Sequence, residues 1–122
     1  MESPQKDRLS LGKTGEEAAV RYLKKKGYKI VERGFRLLRG EIDILAYDRT
    51  TLVFAEVKTR TSLAFGFPEE SVTPAKQAQI RKIAQGYLAK HRLENVPCRF
   101  DVLSVMIAND RQVMIRHFEN AF

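Results

Sequence analysis

The segment that decides the fold spans residues 40–60 and reads GEIDILAYDRTTLVFAEVKTR. Its two ends, residues 40–46 and 52–60, are short, apolar and alternating, which is typical of β-strands. Between them, residues 48–51 are all polar and favour a tight turn. The pattern therefore predicts a β-hairpin. If side chains alternate strictly along its first strand, Ile42 and Ile44 share one face.

The register of this hairpin brings charged side chains together. A turn centred on residues 49–50 sets Asp43 directly across from Glu56, and Glu41 directly across from Lys58. Opposed residues have Cβ atoms about 4.5–5.5 Å apart, where two carboxylates repel each other. A compensating cation is needed, and either Lys58 or a divalent metal such as Mg²⁺ could supply it. An edge hairpin whose polar face is simply solvated explains the same spacing, so spacing alone leaves both interpretations open.

Composition places the chain among soluble globular proteins. It has 122 residues, of which 43% are hydrophobic and 30% charged, and it carries a net charge of +7. No apolar run approaches the roughly 20 residues of a membrane span, and the polar N-terminus lacks a signal peptide's apolar block. With its single cysteine, the chain is expected in the reducing cytoplasm. We expect a disordered tail over residues 1–9 and one domain over residues 10–122.

The positive charge suits nucleic acid, because phosphates favour clustered lysine and arginine through counterion release. An acidic membrane surface or an acidic protein would suit the same charge. Arg33, Arg36 and Arg39 crowd the entrance to the acidic hairpin. They are expected to bind phosphate, although three arginines near a turn could merely be solvated.

A first helix is predicted from Ser10 or Thr14 to about Lys26. Its apolar face consists of Ala19, Val20 and Leu23. Glu16 lies one helical turn before these residues, so its carboxylate points toward the sheet and needs a partner there.

A second helix opens with Thr73 as N-cap and Pro74 in the first helical position. Lys76 and Gln77 lie at its N-terminal end, where they could approach the site and a phosphate. The preceding loop contains the sequence FGFP at residues 65–68. Its phenylalanines either stack on unpaired bases or pin the loop to the core.

The arrangement of Asp43 followed by Glu56-Val57-Lys58 is the D…E-x-K pattern of restriction-endonuclease-like nucleases. More closely, the chain resembles the YraN-like family of small bacterial proteins, which are similar to archaeal Holliday-junction resolvases. The resemblance covers nearly the whole chain and is carried by GKTGE (12–16), YL (22–23), GY (27–28), GEID (40–43), EVKTR (56–60), FGFP (65–68), RFDV (99–102) and NAF (120–122). One departure is Gly34, where the family usually has asparagine.

The resemblance implies an α/β fold with a restriction-endonuclease-like core, a mixed β-sheet flanked by helices in the order αβββαββ. It also implies a metal-dependent DNA endonuclease acting on structured or branched DNA. The implied catalytic residues are Glu16, Asp43, Glu56 and Lys58. Mg²⁺ or Mn²⁺ would be held by Asp43, Glu56, the Val57 carbonyl and Glu16.

The residues expected to contact nucleic acid are Arg33, Arg36, Arg39, Arg60, Lys76 and Gln77. The expected partner is nucleic acid, in particular DNA, and no membrane association is expected. A homodimer is compatible with this interpretation. The alternative is a non-catalytic nucleic-acid-binding module that retains the nuclease fold. The acidic cluster argues against that alternative, because carboxylates without a metal repel phosphate.

Overall fold

The order of elements follows the expected αβββαββ, with one short addition. The computed structural model describes residues 4–61 and 66–122. Its elements are helix α1 (Pro4–Lys25), strands β1 (Lys29–Leu37), β2 (Gly40–Asp48) and β3 (Thr51–Arg60), a 3₁₀ helix (Pro68–Ser71), helix α2 (Pro74–Lys90), and strands β4 (Cys98–Ile107) and β5 (Val113–Phe118). The 3₁₀ helix is the addition, and it lies between β3 and α2.

The sheet has five strands in the sequential order β1-β2-β3-β4-β5. β3 and β4 are parallel, and every other neighbouring pair is antiparallel. This confirms the predicted mixed sheet. Helix α2 provides the crossover that two parallel strands require. Within the part of the chain that the structure describes, no helix is long and apolar enough to cross a membrane.

The two helices cover opposite faces of the sheet, so the predicted flanking by helices is also confirmed. One core packs α1 against the sheet, and its members include Ala19, Leu23, Ile44, Val53, Ala55, Leu103 and Val105. The other packs α2, and its members include Phe35, Ile42, Leu45, Leu52, Phe54, Ile80, Ile83 and Tyr87. β3 alternates between them and is buried on both faces from Leu52 to Glu56.

The predicted hairpin register is confirmed as far as Ile44 and Ala55. β2 and β3 pair from Asp48 opposite Thr51 to Ile44 opposite Ala55. The two-residue turn between them places Arg49 at φ 57°, in the left-handed region. The ladder ends there, one step short of Asp43 and Glu56, and the Asp43 side chain instead contacts the backbone N–H of Val57.

The expected alternation along β2 is wrong at one point. Ile44 belongs to the core beneath α1, whereas Ile42 belongs to the core beneath α2. On β1, the partners are Arg33 for Ile44 and Phe35 for Ile42, with Gly34 between them at φ +65°. Glycine and asparagine both tolerate this left-handed backbone, which accounts for either residue type there. The change of face along β2 therefore falls at Asp43, between Ile42 and Ile44, whereas the register shift between β1 and β2 lies farther along, between Ile30 and Glu32.

Helix α1 begins at Pro4 rather than at Ser10 or Thr14. Residues 4–9 thus belong to the described helix and residues 1–3 lie outside the described residues, while the expected disordered tail over residues 1–9 stays a prediction. Proline is well tolerated in a first helical turn, and residues 5–11 contain no glycine or proline to stop the helix. Ser10 and Thr14 consequently lie inside the helix and not at its start.

Candidate active site

The site forms where β2 begins and β3 ends. The Asp43 carboxylate accepts a hydrogen bond from the backbone N–H of Val57 through Oδ2, at 2.8 Å. This bond ties Asp43 to the strand that carries Glu56 and Lys58. It follows directly on the last ladder pair, Ile44 with Ala55, so the hairpin register fixes which residues meet.

Glu56 is a buried acid held by two lysines. Its side chain is only 6% exposed, and Oε1 lies 3.4 Å from Lys58 Nζ and 3.9 Å from Lys76 Nζ. Its second oxygen, Oε2, is buried and has no hydrogen-bond partner among the residues that the structure describes. A buried carboxylate oxygen without a partner is costly, so this atom would gain free energy from a cation or a proton.

The two acids titrate abnormally. Burial, followed by the negative charge of Asp43, raises the pKa of Glu56 to about 7, while Lys58 and Lys76 act in the opposite direction. Burial also raises the pKa of Asp43, although the Val57 hydrogen bond favours its charged form. The neighbouring lysines therefore do not fully offset the effect of burial on these two carboxylates. Acids with such raised pKa values are typical of functional sites.

Glu16 approaches the pair from α1, as expected. Burial and the charge of Asp43 raise its pKa, whereas Arg33, with Nη2 at 4.0 Å, lowers it. The helix can approach this closely because Gly15 has no side chain: a Cβ there would collide with Thr59 of β3. The close packing of Gly15 on β3 thus sets the position of Glu16.

A cleft of about 360 Å³ opens over these groups. It is lined by Leu11, Gly12, Glu16, Asp43, Val57, Lys58, Thr59 and Arg60. Three of the four predicted catalytic residues therefore share one cleft. Glu56 is the fourth and does not line it, but its carboxylate contacts Lys58, which does.

The carboxylates of Asp43 and Glu56 can be compared with the ligands that Mg²⁺ prefers. Within the described ranges 4–61 and 66–122, no three His, Cys, Asp or Glu side chains form a group able to hold a metal. Mg²⁺ commonly uses one or two carboxylates and keeps several water ligands. The unpartnered Glu56 Oε2 and the raised pKa values of Asp43 and Glu56 fit such a two-carboxylate site.

The four arginines predicted to bind nucleic acid surround the site but differ in their contacts. Arg33 pairs with Glu16, and Arg36 Nε lies 3.5 Å from Glu41. Arg39 is exposed in the β1–β2 turn, and Arg60 lines the cleft while donating to the Thr59 carbonyl. Glu41 therefore pairs with Arg36, and its expected position opposite Lys58 is wrong because the strands depart from the regular ladder beyond Ile44.

Lys76 and Gln77 point to different places. Lys76 reaches Glu56, a contact that sequence reasoning missed. The only signal was a basic residue in the first turn of the helix that follows the E-x-K strand. Gln77 donates to the Val72 carbonyl and lines a separate cavity beside Glu69, so the structure does not bring it to the site.

The aromatic loop is only partly described. Phe67 is 44% exposed, and the Arg116 guanidinium lies 5.3 Å from its ring centre. This contact attaches Phe67 to β5 and leaves much of its ring accessible. Phe65 lies outside the described residues.

A second polar cluster lies in the core rather than at the site. Asp101 is fully buried and accepts hydrogen bonds from Arg99, His117 Nε2 and the Asn120 backbone. These contacts lower its pKa despite burial. Because every partner belongs to β4 or to the segment from β5 to the C-terminus, the cluster fastens that segment to the sheet.

Comparison with known proteins gives a consistent family match. The model described as "Uncharacterised protein family UPF0102" matches residues 15–105. A UPF0102 protein of Geotalea uraniireducens (strain Rf4) is 50% identical over 116 residues, covering 95% of this chain and 91% of that protein. Another, from Chlorobium limicola (strain DSM 245 / NBRC 103803 / 6330), is 49% identical over 121 residues and covers 95% and 94% respectively. One from Caldicellulosiruptor saccharolyticus is 43% identical over 117 residues and covers 95% and 99%.

Proposed function

The chain belongs to the UPF0102 family, and we propose that it is a metal-dependent endonuclease acting on structured or branched DNA. One observation carries the proposal: Asp43 and Glu56 are two neighbouring acids with raised pKa values, and one buried oxygen of Glu56 has no partner within residues 4–61 and 66–122. A divalent cation would satisfy that oxygen and relieve the repulsion between the two charges.

The residues that would hold the metal are Asp43 and Glu56, with the Val57 carbonyl and Glu16 assisting directly or through water. A bound Mg²⁺ or Mn²⁺ would polarise the scissile phosphate and supply a hydroxide. Asp43 is already oriented by the Val57 N–H. Such pre-orientation lowers the cost of organising the site during the reaction.

Lys58 supplies a fixed positive charge beside these acids. Its side chain is 25% exposed and lines the cleft, with Nζ 3.4 Å from Glu56 Oε1. From there it would orient the attacking water or stabilise the charge that develops on the phosphate. Arg60 at the cleft and Arg33 beside Glu16 would guide the phosphate backbone.

The architecture supports a restriction-endonuclease-like assignment for this core. The acids lie on two adjacent antiparallel strands of a mixed sheet, and a third acid reaches them from the first helix. The preference for branched DNA comes from the resemblance to Holliday-junction resolvases, and the net charge of +7 suits a polyanionic substrate.

A non-catalytic nucleic-acid-binding module is the second candidate. It is favoured by the two lysines on Glu56, since Lys58 and Lys76 already offset part of the acid's charge. In that case, the acids would serve to position the lysines for phosphate binding.

The deciding experiment is a cleavage assay on duplex, flap and four-way-junction DNA with Mg²⁺, Mn²⁺ or EDTA. The proposal expects cleavage only with metal, and DNA affinity that falls steeply with added salt. Binding without cleavage of any DNA or RNA would contradict the nuclease and support the non-catalytic nucleic-acid-binding module. Affinity that stays flat across a salt titration would contradict both candidates.

A further inference from the structure

The turn between β1 and β2 has an unusual backbone for its residues. Leu37 pairs with Gly40, which leaves Leu38 and Arg39 as a two-residue loop with φ values of 52° and 59°. Turns with both central residues in the left-handed region strongly prefer asparagine, aspartate or glycine. A bulky leucine in such a position is an outlier that calls for an explanation.

Packing does not explain this leucine. Leu38 is 63% exposed, whereas its neighbour Leu37 packs against the core beneath α2. A side chain that strains the backbone and contributes little burial lowers the stability of the fold. Its properties suit a contact with something outside the chain.

The surroundings of Leu38 carry more positive than negative charge and adjoin the acidic site. Arg36 and Arg39 line a cleft of about 540 Å³ together with Lys76, the lysine that reaches Glu56. Glu41 is the one acid among the described residues of this lining, and it pairs with Arg36 at 3.5 Å. The Arg36 side chain is 82% exposed. Along β2, roughly 15 Å of extended strand separates Leu38 from Asp43, so a DNA chain held at the site could extend to the turn.

We propose that Leu38 is a wedge that inserts between unstacked bases, while Arg36 and Arg39 hold the flanking phosphates. Apolar side chains beside arginine insert between base steps in this way in DNA-bending proteins. Inserting a side chain between bases costs least at a branch point, where the stacking of the helices is already interrupted. This inference rests on the proposed function only in taking DNA as the partner, and it requires no cleavage.

The test uses a four-way junction that carries 2-aminopurine beside the branch point, in EDTA so that no cleavage occurs. Binding of the wild-type protein is expected to raise 2-aminopurine fluorescence several-fold, since unstacking relieves its quenching. Leu38→Asn is expected to abolish that rise while retaining most of the affinity, because the arginines remain. Asparagine also tolerates the left-handed turn, so the melting temperature should rise by a few degrees.

Met114→Asn is the matched control, because Met114 is a 67% exposed apolar residue on β5, at the far edge of the sheet from β1. It should leave the fluorescence rise intact. Wild-type binding without unstacking, or an unchanged rise in Leu38→Asn, would overturn the wedge while leaving a nuclease in place. Unstacking without metal-dependent cleavage would support the wedge and refute the nuclease. No DNA binding at all would refute both.

Discussion

Lys58 Nζ lies 3.4 Å from Glu56 Oε1, and the two residues are neighbours on the same face of β3. Lys76 reaches the same oxygen from α2, at 3.9 Å. In the described part of the chain, one oxygen of Glu56 thus contacts lysine and the other has no partner. This asymmetry leaves Oε2 as the atom through which a cation could bind without displacing either lysine.

Neutral isosteres of the two acids separate metal binding from DNA binding. Asp43→Asn and Glu56→Gln keep the side-chain shape but remove a negative charge, so each should lose metal binding and cleavage. Affinity for DNA without metal should hold or increase, because repulsion of phosphate falls. Calorimetric metal titration beside a gel cleavage series measures both effects.

Glu94→Gln is the control for these variants, because Glu94 is exposed and lies in the α2–β4 connection. It removes the same charge and should leave metal binding and cleavage intact. Equal metal affinity in wild type and Glu56→Gln would contradict the assignment of Glu56 as a ligand. Asp43→Asn and Glu56→Gln prepared in the same way should show no cleavage, and this result excludes a contaminating nuclease as the source of activity.

The two lysines should differ in their effects. Lys58→Ala should retain metal binding, lose cleavage and weaken DNA binding slightly, since Lys58 lines the cleft. Lys76→Ala should weaken DNA binding but preserve more cleavage, because Lys76 lies farther from Glu56. Lys82→Ala, on the exposed side of α2, controls for loss of one charge. Full cleavage by Lys58→Ala would exclude it from the reaction.

Stability without metal should decrease as the pH rises. The pKa of Glu56 is about 7 in the folded protein against an ordinary 4.5. A raised pKa means that the folded state binds the proton more tightly, so this contribution is complete below about pH 4.5 and lost as the pH passes about 7. This contribution to the free energy of unfolding is on the order of 3 kcal/mol.

Urea unfolding in EDTA at several pH values measures this loss. Glu56→Gln cannot titrate, so it should be more stable than wild type above about pH 7 and show a weaker pH dependence. Added Mg²⁺ should restore wild-type stability at high pH by binding the folded state. Parallel pH profiles for the two proteins would show that Glu56 does not titrate as proposed.

Two glycines of α1 should respond oppositely to alanine. A Cβ at Gly15 would collide with Thr59, whereas a Cβ at Gly12 has nothing within 4 Å. Gly15→Ala should therefore destabilise the protein by about 1–3 kcal/mol and displace Glu16. Gly12→Ala should stabilise it by about 0.5–1 kcal/mol through helix propensity. Urea denaturation compares them, and similar values for both would refute the close packing of α1 on β3.

Local sequence signals were sufficient for the hairpin and for the start of α2. The polar turn and flanking alternation fixed the β2–β3 register, which is observed from Asp48–Thr51 to Ile44–Ala55. The cap of α2 is also observed, since Thr73 Oγ1 accepts from the Lys76 N–H at 3.2 Å. Both features depend on residues close together in the chain.

Features that depend on distant contacts could not be predicted. The break in alternation at Asp43 accompanies the left-handed backbone of Gly34 on another strand. The contact of Lys76 with Glu56 depends on how α2 lies across the sheet. The early start of α1 was missed because the polar residues 4–10 have no apolar periodicity to mark a helix.

The two-residue turn at Arg49 and Thr50 makes the site sensitive to chain length at a remote point. Asp43 and Glu56 both lie roughly 20 Å of strand away from it. One inserted residue that shifts the register would bring Ala55 or Val57, not Glu56, to the position next to Asp43. It would also exchange the faces of β3, which is buried on both sides. Insertions should therefore be far better tolerated between β3 and α2 or between α2 and β4 than in this short turn, although none of these segments contributes an acid to the site.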